Sequence, residues 1–269
     1  MAIGIIGGGA MGSALLKGML NVGLFKADEI YLVELDQLKQ AALTESLGIK
    51  STTELSELAK LCQIIILAVK PQVMPRLLIE LKAVLNGQHL VISIAAGITL
   101  SYLEENLPEV RIVRVMPNTP ARIGQGVSAY CLGNAANIDD VVIVNKMFNA
   151  IGKSIEVMET QMNAVIAVSG SAPAYVYSFI EALTDAGVLL GLSRETASFL
   201  VTQTILGSAA LVAQSGEHPA VLRNEVTSPA GTTAAALFEL EQGAFKATII
   251  KAAKVAAERG EALSLQNKR

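Results

Sequence analysis

Apolar residues follow two rhythms along this chain, and the change between them divides it. In the first half, short and mostly apolar runs recur at Ile3–Ile6, Ile30–Val33, Ile64–Val69, Leu90–Ile94 and Ile112–Val115. Runs without alternation are what strands buried on both faces of a parallel sheet display. Helical spacing appears between them. Leu38, Ala41, Ala42 and Leu47 share a face that Gly48 ends, and similar stretches lie near Val73–Leu85 and Leu100–Asn106. Val127–Leu132 and Ser154–Met158 predict two further strands at one edge, around a helix near Val141–Ile151. This succession predicts a doubly wound α/β sheet with right-handed crossovers.

The rhythm changes near Glu159–Asn163, and no convincing strand follows. Val176, Phe179, Ile180, Leu183, Gly187 and Leu190 keep helical spacing, with Ser178, Glu181 and Asp185 on another face. Thr196–Gly216 is 21 residues without a charge. It is long enough to span a bilayer, but Ser, Thr and Gln recur throughout it. The expectation is a helix buried on all sides, with a second subunit supplying the cover. Ala234–Leu240 and Ala247–Leu263 complete the helices, the latter with Lys251, Lys254, Glu258 and Glu261 facing outward. The predicted domains are 1–160, a dinucleotide-binding domain, and 161–269, an all-helical one.

Composition sharpens the second half. Of 269 residues, 52% are apolar and only 17% charged, which suggests apolar surface hidden between subunits. The net charge of −3, without a basic cluster, argues against nucleic acid as a partner. Aromatics are 4% and Trp is absent, so no stacking platform is visible. Cys62 and Cys131 stand alone in apolar runs and read as buried free thiols. His89 and His218 form no metal-ligand spacing, so no metal is expected. The start, Met1-Ala2-Ile3-Gly4, has no basic n-region. The expected setting is the reducing cytoplasm, without membrane attachment.

Candidate chemistry begins at Gly7-Gly8-Gly9-Ala10-Met11-Gly12, a G-x-G-x-x-G between a strand and a helix. Gly7 would take the turn, Gly9 would admit a pyrophosphate to the backbone, and Gly12 would let helix and strand approach. Phosphates would sit on the N–H groups of the helix that begins near Ala10, with Met11 beside it. Four further stretches fall at strand ends, where open α/β sheets bind ligands. Glu34, 22 residues after Gly12, suits an adenosine ribose and repels a 2′-phosphate, which leans toward NADH over NADPH. It also reads as an ordinary acid at a helix start. Ala68-Val69-Lys70-Pro71 places a lysine toward cofactor phosphate or a substrate anion, or simply into solvent. Ala95-Ala96-Gly97 is small enough for a cofactor to lie flat. Asn118, in Met116-Pro117-Asn118-Thr119-Pro120, can donate and accept near a nicotinamide amide.

In the helical half, Ser169-Gly170-Ser171-Ala172-Pro173-Ala174-Tyr175 carries capping residues and is expected to open a helix. Val226-Thr227-Ser228-Pro229-Ala230-Gly231-Thr232-Thr233 is a hydroxyl-rich loop leading into another helix. Its backbone N–H groups and hydroxyls suit a carboxylate, or a plain N-cap. With these segments and the glycine loop, the chain resembles the pyrroline-5-carboxylate reductase family along essentially its whole length. The resemblance implies an α/β N-terminal Rossmann-type doubly wound sheet plus an all-α C-terminal dimerisation domain. It implies NADPH or NADH as cofactor, a homo-oligomer through the C-terminal helices, and a site completed by the partner subunit. It also implies reduction of L-1-pyrroline-5-carboxylate to L-proline, the last step of proline biosynthesis.

On that resemblance, Ser228, Gly231, Thr232 and Thr233 hold the substrate carboxylate, and Thr233 and Lys70 are the candidate catalytic groups. The substrate iminium already carries the charge that makes its carbon electrophilic, so orientation matters more than a strong acid. The chain departs from the family in having Ala at 172 and 230, where Gly is more frequent. Rival readings are a reductase of another cyclic imine, a β-hydroxyacid dehydrogenase, and a non-catalytic dinucleotide-binding protein. The second expects a lysine early in the helical domain, and Gly170–Gly187 has none.

Overall fold

The computed structural model describes residues 2–266. The chain divides into two compact units, Met1–Ser171 with Val255–Arg269, and Ala172–Lys254. The first unit carries β1 (Ile3–Ile6), α1 (Ala10–Asn21), β2 (Ile30–Val33), α2 (Gln37–Leu47), β3 (Lys50–Ser51), α3 (Leu55–Leu61), β4 (Ile64–Leu67), α4 (Met74–Lys82), β5 (Leu90–Ser93), α5 (Leu100–Asn106), β6 (Arg111–Met116), β7 (Gly126–Leu132), α6 (Ile138–Asn149), β8 (Gly152–Glu156) and α7 (Met162–Val165).

The strands form one sheet in the order β3-β2-β1-β4-β5-β6-β7-β8. Pairing is parallel except between β6 and β7. Alternate residues of one strand serve opposite faces. Ile64 and Ile66 join a core with Leu15, Leu16 and Met19 of α1 and Val144, Met147 and Phe148 of α6. Ile65 and Leu67 face the other way, onto Leu58 of α3, Leu78 and Leu81 of α4 and Leu103 of α5. Both faces are covered, which is why the strands read as unbroken apolar runs. α2 ends where Gly48 takes φ +66°, as its sequence predicts. β3 and α3, of two and seven residues, are too short to show a rhythm in the sequence.

The first unit extends past the expected boundary at residue 160. Arg114 on β6 is 5% exposed, and its guanidinium pairs with Glu159 at 3.1 Å. The same carboxylate oxygen accepts the Leu100 N–H at the start of α5. Met162 follows, buried in the core. These ties hold the segment after β8 to the sheet.

α7 does not stop at a new cap. It continues through a π-helical turn, Ile166–Gly170, toward α8 (Ala172–Leu189). The helix expected from Ser169–Tyr175 does begin, at Ala172, but a π turn leads into it and the buried Ser169 hydroxyl finds no hydrogen-bond partner there. Ala172 is inside a helix, so the methyl it carries in place of hydrogen meets no conformational penalty.

The second unit holds α8, α9 (Arg194–Ser215), α10 (Pro219–Glu225), α11 (Thr232–Gln242) and the first turns of α12 (Phe245–Gln266). The short α10 was not anticipated. α8 and α9 approach closely, because a Cβ on Gly187 would lie 2.9 Å from that of Ala197. Within one chain α9 buries only Ala197 and Val201. Phe199, Leu206 and Leu211 on α9, and Phe238 on α11, are exposed. By length and composition α9 could cross a membrane.

Glu159→Ala should strand the Arg114 guanidinium in the core and cost about 3 kcal/mol, measured by urea unfolding. The apolar faces of the second unit predict at least a dimer in solution. A monomeric mass by light scattering at micromolar concentration would contradict this.

Candidate active site

The glycine loop is built where three strand ends meet. The Gly7 N–H donates to Val33 O of β2 at 2.8 Å, and the Ala68 N–H donates to Ile6 O at 2.8 Å. Gly7 has φ +102°, and a Cβ there would stand 2.6 Å from Ala68 O. A Cβ on Gly12 would stand 2.2 Å from Gly7 O, so the first turn of α1 lies directly on the loop. At Gly9, by contrast, nothing lies within 4 Å of the position a Cβ would take. Gly9 is the N-cap of α1, and no side chain caps that terminus. The first-turn N–H groups, from Ala10 to Gly12, therefore face open space with the positive end of the helix dipole behind them. These features fit a dinucleotide pyrophosphate.

Beside the loop is a cavity of about 690 Å³. Gly7, Gly9, Glu34, Ala68, Val69 and Lys70 line it, as do Lys39, Leu55, Val73, Arg76 and Leu77. The first six lie in the stretches expected from the sequence; the rest carry no motif of their own and lie on the segments that follow β2, β3 and β4. Its size suits a nucleoside. Lys70 is exposed at the end of β4, ahead of a short 3₁₀ turn begun by Pro71.

Glu34 is held at three points. One carboxylate oxygen accepts the Gly8 N–H at 2.8 Å and pairs with Lys39 Nζ at 3.0 Å. The other accepts the Asp36 N–H at 3.1 Å. Burial alone would raise its pKa, but the bonds from Asp36, Lys39 and Gly8 outweigh that and hold it below the usual range. Glu34 is thus a fixed anion and not a solvated acid.

Two expected residues are engaged elsewhere. The Asn118 side chain accepts the Val127 N–H at 2.9 Å and donates to Ser169 O at 3.4 Å, stapling the β6–β7 connection to the π turn. One amide proton and one lone pair remain for a ligand. The Ala95 methyl packs into the core below the sheet, so only its backbone can face a cofactor. His89 is structural: Nε2–H donates to Ala59 O at 2.9 Å, and Nδ1 accepts the Asn86 N–H at 3.1 Å. Burial pushes the Cys62 and Cys131 thiols up to about 12, which removes both as nucleophiles.

The second unit presents the other candidate. Between α10 and α11, Pro229 follows Ser228, Ala230 has φ +57°, and the Gly231 N–H returns to Ser228 O at 3.1 Å. This is the pattern of a type II turn, whose third position calls for glycine. A Cβ on Gly231 would stand 2.3 Å from Ser228 Oγ. Gly231 is the N-cap of α11, again with no side-chain cap. The N–H groups of Thr232, Thr233 and Ala234 are left without intrahelical partners. Ser228 and Thr232 are exposed, and Thr233 is half-buried. The turn therefore presents hydroxyls and N–H groups together, as a carboxylate requires.

Residues 159–263 match the family model for pyrroline-5-carboxylate reductase dimerisation. Because curated reductases about 40% identical to it cover nearly its whole length, the chain belongs to the pyrroline-5-carboxylate reductase family. Residues 2–97 match a second model, the coenzyme F420-dependent NADP oxidoreductases. The Arabidopsis thaliana pyrroline-5-carboxylate reductase is 41% identical, over 97% of this chain and 95% of its own. The Escherichia coli (strain K12) enzyme is 40% identical, over 97% and 98%. Among solved structures, the Plasmodium falciparum pyrroline carboxylate reductase with NADP bound aligns with a TM-score of 0.89 and 38% identity, over 98% of both chains. The Coxiella burnetii reductase aligns at 0.91 with 34% identity, over 97% and 98%. Family membership gives the α/β sheet its NAD(P)H-binding role and makes the helical region a dimerisation domain.

Ala230→Gly should relieve the left-handed residue and stabilise the protein by about 1 kcal/mol, seen as a higher midpoint of urea unfolding. No change, or a loss, would show that the turn carries no strain.

Proposed function

We propose that this protein reduces L-1-pyrroline-5-carboxylate to L-proline with NADH or NADPH, the last step of proline biosynthesis, as a cytoplasmic homo-oligomer. The observation that carries the reading is the uncapped N-terminus of α11 behind the Ser228–Gly231 turn. Relatives about 40% identical over nearly the whole chain bear the same activity in their names.

The nicotinamide supplies the hydride; the chain supplies position. Gly7, Gly9, Ala10, Met11 and Gly12 hold the pyrophosphate on the first turn of α1. Ala68, Val69, Lys70 and Pro71 border the adenosine half, where Lys70 offsets phosphate charge. Ala95 contributes backbone, and Asn118 fixes the loop after β6. Glu34 accepts hydrogen bonds from the ribose and leans the choice toward NADH.

Ser228, Gly231, Thr232 and Thr233 hold the substrate carboxylate through backbone N–H groups and hydroxyls. Thr233 also holds the ring nitrogen or relays a proton from water. The bond change is simple: a C–H bond forms at the imine carbon, and the electron pair of C=N returns to nitrogen. Because nitrogen is protonated beforehand, no strong acid is needed, and the Val226–Thr233 loop contains no His or Lys.

Steady-state kinetics test the cradle. Thr233→Ala should lower kcat/KM for the imine by about tenfold. Gly231→Val should lower it by about a hundredfold, because its Cβ would press on Ser228 Oγ. If neither moves kcat/KM, the loop does not bind the substrate.

A further inference from the structure

Lys39 has no part in the glycine motif or the Ser228–Gly231 turn, yet its ammonium pairs with Glu34, the cavity acid held by the glycine loop. Its backbone N–H is fixed by Asp36, the N-cap of α2, at 3.1 Å. Its ammonium shares a Glu34 oxygen with the Gly8 N–H. Its Cε lies 3.7 Å from where a Gly8 Cβ would be, while Leu43 closes that spot at 2.7 Å. Glu34 is 13% exposed and Lys39 is 40% exposed, and both line the cavity. The glycine loop, β2 and α2 are therefore joined at a single ion pair whose cationic half still reaches solvent.

We infer that Lys39 is a second determinant of cofactor choice: the counter-charge for a 2′-phosphate, held out of use by Glu34. In the resting pair the anion is locked by two backbone N–H groups, whereas the lysine is tethered only through its flexible stem. The pair therefore offers two answers to two cofactors. A ribose with a free 2′-hydroxyl donates to Glu34 and leaves the pair intact. A 2′-phosphate meets the same carboxylate, and Lys39 is the cation close enough to offset the repulsion. Lys70 and Arg76 also border the cavity, but Arg76 pairs with Glu80 at 3.1 Å and Lys70 stands at the end of β4. Neither touches Glu34.

The inference rests on the cavity being the adenosine half of the cofactor site. Binding of 5′-AMP and 2′,5′-ADP by calorimetry isolates it from the reductase chemistry. Glu34→Ser should free the lysine and tighten 2′,5′-ADP at least tenfold. Glu34→Gln, which keeps an acceptor for the Gly8 N–H, guards against a collapsed loop and should move the same way. Lys39→Gln in the otherwise native protein should weaken 2′,5′-ADP at least tenfold more than 5′-AMP. Adding Lys39→Gln to Glu34→Ser should abolish the gain, and adding Lys39→Arg should retain it. If the double variant binds 2′,5′-ADP as tightly as Glu34→Ser, or if Arg76→Gln removes the gain instead, Lys39 is not the phosphate partner. If the native protein binds neither nucleotide, the cofactor placement fails and this inference with it.

Discussion

The contact on which the first unit depends is the one between Gly7 and Gly12. The Gly7 carbonyl occupies the place of any side chain at 12, and the Ala68 carbonyl does the same at 7. With no room on either side, the chain leaving β1 has one route, and α1 begins with its N–H groups turned outward. The anion site is thus a by-product of close packing. Gly9 differs: its missing side chain is needed by nothing in the protein, so the space there is left for a ligand. Three glycines of one motif serve three purposes, and only Gly9 leaves its space open.

Much of this unit was legible in the sequence because burial on both faces leaves a plain signal. The five apolar runs all became neighbouring strands, and Gly48 ended α2 as its position implied. What stayed hidden has identifiable causes. β3 and α3 are two and seven residues long, too short for a period to repeat. Ser169 and Ser171 carry the chemistry of a cap, and α8 does begin at Ala172, but a π turn runs into it from Met162 and the Ser169 hydroxyl is left unpartnered. Asn118 was read for its free amide, which is largely spent on Val127 and Ser169. Lys39 was missed because its importance comes from meeting Glu34 across a turn, and a lone lysine in a helix has no signature of its own.

The expected boundary at 160 shows the same limit at a larger scale. A change of rhythm marks where strands end, and Glu156 is indeed the last strand residue. It does not mark where a unit ends. The buried Arg114 needs a counter-charge, and the half-buried Glu159 provides it from beyond the last strand. Electrostatic need carries the first unit past the change of pattern, and its last turns come from α12, where Gly260 packs against Asn163.

The Ser228–Gly231 turn repeats the logic of the glycine loop with one residue changed. Both put an uncapped helix N-terminus behind a tight turn, and both use a glycine whose side chain would strike the loop itself: Gly12 against Gly7, Gly231 against Ser228. At the glycine loop, the residue in the positive-φ position is glycine; at the Ser228–Gly231 turn it is Ala230. A left-handed alanine costs about 1–2 kcal/mol, and only a fold that determines the turn from other contacts can hold it. Those contacts are in place: Pro229 presets the first bend, the Gly231 N–H closes the turn on Ser228, and Thr227 Oγ1 ties its start to Arg223 O at 2.6 Å. The methyl narrows the backbone freedom that glycine would allow, so the turn itself fixes the direction of the first N–H groups of α11.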